Sequence, residues 1–260
     1  MKLYATYIRL LFKSQMEYKA SFVMTVITQF IQPLALFAGI YMLFERFGDV
    51  QGWTVFEVFL SYSVIGICAA TSKCFARGFD QFDNLIRTAA FDRILVRPRG
   101  TVIQVLGSGF DAKRVGHFIQ ASIVLVIAIV GVDISWDLLR LVMLANMIIG
   151  GSLLFVGIYM LQATAAFWTI DGLEFSHIFT HGLQQNAIYP LSIFPRAITV
   201  FFTFIIPFAT VAYLPLQYML GKIDGIGWVY AFMPLAGVLF VLPCVGVWRF
   251  GVSRYSSAGS

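Results

Sequence analysis

The chain has 260 residues, 59% of them hydrophobic and 12% charged, with a net charge of +5, where a soluble domain carries roughly a quarter charged residues. So few charges cannot cover a solvated surface, which excludes an ordinary soluble enzyme and predicts an all-α integral membrane protein of about six spans at roughly 20 residues each. The basic excess reads as loops held on the cytoplasmic side rather than as a nucleic-acid footprint, so no nucleic-acid partner is expected.

Residues 1–19 place Tyr4, Tyr7, Ile8, Leu11 and Phe12 on one side of a helix and Lys2, Arg9, Lys13 and Glu17 mostly on the other. That pattern predicts an interfacial helix, and its charges rule out a signal-peptide core. A first span is expected at residues 21–44, with Gln29, Gln32 and Pro33 near mid-depth, where side-chain amides need a protein or water partner. A second follows at residues 54–71. Residues 73–114 then form a basic island. In it Phe79, Phe82, Leu85, Ile86 and Ala89 make an apolar stripe at helical spacing, expected on one helix over residues 79–90. Asp83, Arg87, Asp92, Arg93, Arg97 and Arg99 supply a polar rim, and Pro98 stops the helix.

The third span is expected at residues 115–132 and the fourth at 138–168, joined by a turn with Asp133 and Asp137. Asp171 and Glu174 mark a return to the cytoplasm. The last span falls at residues 226–248, followed by Arg249 and Arg254. Between them two arrangements compete for the fifth crossing. Either residues 173–193 cross as a polar helix and residues 194–220 form a re-entrant hairpin broken around Pro190, Pro195, Pro207 and Pro215, or residues 197–214 cross and the polar stretch stays cytoplasmic. Fourteen of the 18 Lys and Arg residues fall in the N-terminal helix, the island and the C-terminus. That bias predicts both termini in the cytoplasm and an even number of spans, with six the economical count.

Cys68, Cys74 and Cys244 lie in or beside apolar segments without C-x-x-C spacing and read as buried small hydrophobes. Glu174, His177 and His181 share one helix face, as a cavity-lining surface would; a fourth metal ligand is not evident, so no metal is expected. His117 reads as an interfacial residue. The motifs of intramembrane proteases are missing, and no catalytic residue is expected.

The strings FDRILVRPRGTVIQVLGSGFD at residues 91–111 and YPLSIFPRAITVFFTFIIPFATVAYLPLQYMLG at residues 189–221, in this order of elements, resemble a bacterial branch of the permease subunits of type-2 ATP-binding-cassette (ABC) transporters. The resemblance covers essentially the whole chain and implies a multi-pass protein of the bacterial cytoplasmic membrane. It further implies a separate ABC ATP-binding subunit, a second type-2 permease, identical or not, and export of a small amphiphilic drug- or antibiotic-like compound. The island would be the coupling region that sits in a groove of the ATPase, using Phe79, Phe82, Asp83, Leu85, Ile86, Arg87, Arg93, Arg97 and Arg99. No G-x-x-x-x-G-K-[ST] string occurs, so this chain binds no cofactor, and ATP and magnesium belong to the partner. Gln29, Gln32, Ser61, Ser63, Gln162 and Thr164 are the expected pathway-lining residues. The alternative is a secondary transporter of an amphiphilic solute, which would normally place charged coupling residues mid-span where this chain has amides.

Overall fold

Every regular element is helical in the computed structural model, which describes residues 2–48, 52–168 and 196–255. Helix α1, Lys2–Gln15, leads through a tight turn into α2, Lys19–Phe47, which runs through Pro33. Thr54 starts α3, Val55–Asp80, with a capping box: its hydroxyl accepts the Glu57 N–H at 3.4 Å, and the Glu57 carboxylate accepts the Thr54 N–H at 2.7 Å. Three short helices follow, α4 (Phe82–Arg87), α5 (Ala90–Leu95) and α6 (Thr101–Ser108). A 3-10 turn at Ala112–Arg114 opens α7, Val115–Gly131. Asp137 caps α8, Leu138–Ala165, by accepting the Arg140 N–H at 2.9 Å.

Five stretches are long and apolar enough to cross a membrane: Lys19–Phe47, Val55–Arg87, Ala112–Gly131, Leu138–Ala165 and Gly227–Arg254. They correspond to the first, second, third, fourth and last of the expected spans. Residues 173–193, one candidate for the remaining crossing, lie outside the described residues. The other candidate, residues 197–214, is broken. Helix α9, Arg196–Val200, passes into a π-helical stretch at Phe201–Ile205, Ile206 is extended (φ −111°, ψ 103°), and a second π stretch at Ala209–Tyr213 leads into α10, Leu214–Met219. Thr203 and Thr210 satisfy carbonyls beside the break, donating to Thr199 at 2.7 Å and Pro207 at 2.8 Å. The last span consists of α11 (Gly227–Phe232), a 3-10 turn at Met233–Leu235 and α12 (Ala236–Arg254).

Because lipid is as apolar as leucine, close packing rather than water exclusion holds such helices together. Helix α3 stands at the centre, packed against α7 and α8, while α8 packs against α12. Leu60, Ala69, Met143, Met147 and Leu154 fill the shared interior. Gly150 and Gly237 let α8 and α12 touch backbone to backbone: a Cβ on Gly150 would enter the Pro234 carbonyl, and one on Gly237 the Gly150 carbonyl. Helix α2 is attached far less closely. Ile40 is its buried residue, and it meets the bundle where Gly116 lies under the Val26 carbonyl and where the Tyr62 hydroxyl donates to the Pro33 carbonyl at 3.0 Å.

Candidate functional site

Helix α3 runs nine residues past its expected end at Thr71, to Asp80, and Ala76 breaks its regularity (φ −119°, ψ 20°). Just before that kink the Cys74 carbonyl accepts the Asp111 N–H at 3.0 Å. This brings the far end of the island back onto α3. Asp111, 5% exposed, pairs with Arg77 and lies 3.4 Å from Arg114 Nε, and its other oxygen accepts the Lys113 N–H at 3.3 Å. A carboxylate held between two guanidiniums in a half-dry site is a strong cross-link. Arg114 also donates to Gln29 Oε1 at 3.0 Å, tying the island to α2.

Helix α1 is strapped along the same surface. Gln15 donates to the Phe110 carbonyl at 2.6 Å and accepts the Ala112 N–H at 3.1 Å. The Tyr4 hydroxyl donates to the Phe75 carbonyl at 2.7 Å, and burial pushes that phenol up to about 12, so it stays a neutral donor. Arg97 donates to the Tyr7 hydroxyl at 3.2 Å.

The single helix expected over residues 79–90 is split into the end of α3, all of α4 and the start of α5. Gln81 is non-helical between the first two, and Ala89 adopts a left-handed φ of 51° between the others. The folded-back pieces wrap an aromatic cluster. Trp248 of α12 is fully buried, with Phe82 at 4.9 Å, Phe79 at 5.0 Å, Phe167 at 5.3 Å and Phe91 at 6.1 Å between ring centroids. Edge-to-face pairs dominate, as the ring quadrupoles prefer. The Trp248 indole donates to the Thr101 hydroxyl at 3.0 Å, and the Tyr255 hydroxyl donates to Asp92 at 2.9 Å. The Gln104 amide closes the turn by donating to the Ile94 and Arg99 carbonyls at 3.2 and 2.9 Å.

The stripe and the rim therefore part company. Phe79, Phe82 and Ile86 are buried within this chain and Leu85 is half-buried against the same core. Asp83 is half-exposed, and Arg87, Arg93, Arg97 and Arg99 are exposed. Between these arginines stand two side chains that periodicity did not single out, Leu95 and Val96, the latter 83% exposed. An apolar residue flanked by Arg and Pro is the one signal that marks them.

The expected pathway residues lie on α2, α3 and α8. Gln32 is exposed and Ser61 half-exposed. Gln29 is engaged with Arg114, while Ser63 and Thr164 are buried and donate to their own helix carbonyls of Leu60 and Met160 at 2.9 and 2.7 Å. Gln162 is also buried. Tyr62 and Gln120 form a buried polar contact at 3.5 Å that the sequence did not single out. Pro207 follows the extended Ile206 and Pro215 is buried in the first turn of α10, whereas Pro190, Pro195, Glu174, His177 and His181 lie outside the described residues. His117 sits in the first turn of α7, facing Gly66 of α3. Among the described residues no three His, Cys, Asp or Glu side chains group as metal ligands. Arg87, Arg93, Arg97 and Arg99 together make this face of the island cationic.

Residues 30–259 match the family model described as ABC-2 family transporter protein. No curated protein and no solved structure matches the chain.

Proposed function

The chain belongs to the ABC-2 transporter family and is an all-α multi-pass permease, and from that premise we propose that it is the membrane subunit of an ATP-driven exporter whose ATPase docks on the arginine-rimmed island. The observation that carries this reading is the division of the island into a buried stripe and an exposed rim. With Phe79 and Phe82 packed on Trp248 and Ile86 buried in the same core, a push on the rim is transmitted into α3 and α12. Val96 and its neighbouring arginines offer an apolar tip ringed by cations, which fits a groove edged with carboxylates. ATP and magnesium would be held by that partner, and this chain supplies the contact and the path.

On the same reading the island and both termini lie in the cytoplasm, residues 194–220 form a re-entrant hairpin, and a second type-2 permease completes the pathway. The loosely packed α2, with Gln32, faces that pathway, as does Ser61 of α3. The cargo is a small amphiphilic, drug-like compound and the membrane a bacterial inner membrane. Co-purification from the native host tests the core of this. The unsubstituted chain is expected to retain an ATP-binding subunit, and Arg93→Glu with Arg97→Glu to lose it while remaining monodisperse. Retention of the ATPase by that variant would overturn the docking assignment.

A further inference from the structure

The end of the bundle opposite the island is drawn together by one side chain. Gly221 takes a left-handed φ of 68°, which glycine adopts without steric cost, and the Lys222 N–H donates to the Gln217 carbonyl at 2.9 Å. The turn so formed aims Lys222 back across the bundle at the junction between α2 and α3. Its Nζ lies 3.0 Å from Glu57 Oε2, donates to the Gly52 carbonyl at 2.5 Å, and sits 4.8 Å from the centre of the Trp53 ring. Trp53, 5% exposed, stacks on Tyr213 of the second π stretch at 6.3 Å. Glu57 cannot follow a departing lysine, because the same Oε2 is held by the Thr54 N–H at 2.7 Å.

Two parts of the chain 170 residues apart are thus joined: the rigidly capped start of α3 and the exit of the segment broken at Ile206. The ion pair is neither dry nor freely solvated, with side-chain exposures of 22% for Lys222 and 13% for Glu57. A contact of that kind holds one conformation and still releases. We infer that the Lys222 contact with Glu57, Gly52 and Trp53 is a latch that keeps this end of the bundle shut, and that the permease breaks it each time its pathway opens on this side. The inference rests on the transporter reading above and adds to it a gate at the end away from the ATPase.

Ser61 lies one turn below Glu57 on the same face of α3, so a cysteine there reports opening. The full chain carrying Ser61→Cys is placed in lipid nanodiscs, and its modification by a membrane-impermeant maleimide is timed against the chain without that substitution. Glu57→Gln, which keeps the capping box, and Lys222→Gln are each expected to speed labelling roughly fivefold or more. The reversed pair, Glu57→Lys with Lys222→Glu, is expected to bring the rate back toward that of the parent. Parental rates in both single variants, or a reversed pair as fast as either of them, would overturn the latch. The readout needs neither ATPase nor cargo, so its failure leaves the docking assignment standing, and loss of that assignment leaves the labelling result intact.

Discussion

Trp248 is the residue around which the island's aromatic rings gather. Its ring packs against four phenylalanines, from α3, α4, α5 and the turn after α8, and its indole N–H has a hydroxyl partner in Thr101. Trp248→Phe keeps most of the contact and loses the hydrogen bond, an expected cost of about 1 kcal/mol. Trp248→Ala leaves a cavity and is expected to cost about 3 to 5 kcal/mol. Thermal unfolding of the purified protein in detergent, ranked across the two variants, checks this order. Asp111 is the polar counterpart. Asp111→Asn strands Arg77 and Arg114 beside a neutral amide, and a loss of about 3 kcal/mol is expected in the same assay. Neither role was legible in the sequence. Trp248 was the last residue of the expected final span and Asp111 one charge in a basic run, and nothing local to either position names a partner more than thirty residues away.

At the scale of elements, periodicity gathered Phe79, Phe82, Leu85, Ile86 and Ala89 into one stripe on one helix, whereas the fold divides these residues among pieces that it keeps apart. The break at Thr88 and Ala89 contains neither glycine nor proline, so no breaker signal marks it. It forms because α4 and α5 must both reach Trp248, and the left-handed Ala89 is what that reach costs locally. Ala89→Gly is therefore expected to preserve the fold and raise stability by up to about 1 kcal/mol, read as a higher midpoint in thermal unfolding. Gly78 shows the opposite constraint. A Cβ there would enter the Val105 carbonyl of α6, so Gly78→Ala is expected to push α6 off α3 and cost at least about 1 to 3 kcal/mol, seen as increased protease cleavage within residues 95–110. The capping residues Thr54 and Asp137, in contrast, were within two residues of the expected span starts, because a cap is a property of four consecutive residues.

For the whole molecule, hydropathy located the five described membrane-length helices where expected, and α3 departed only by continuing to Asp80, within the island. The further crossing that the charge bias leads one to expect is not marked in the sequence, because prolines and amides depress the hydropathy of residues 173–214 and π-helical stretches have no sequence period of their own. A cysteine replacing the exposed Arg196 is expected to be labelled from the side opposite the island, as the re-entrant arrangement requires; labelling from the island side would assign the crossing to residues 197–214 instead. The sequence by itself determined that this chain lives in a bilayer, where five of its membrane-length helices fall and where its basic residues concentrate, because transfer to lipid acts on each residue in turn. Only the tertiary structure decided that the stripe turns inward to Trp248 and the arginines outward, and that Lys222 closes on Glu57. An amphipathic face records that it must be covered, and what covers it depends on which distant segments the backbone brings alongside.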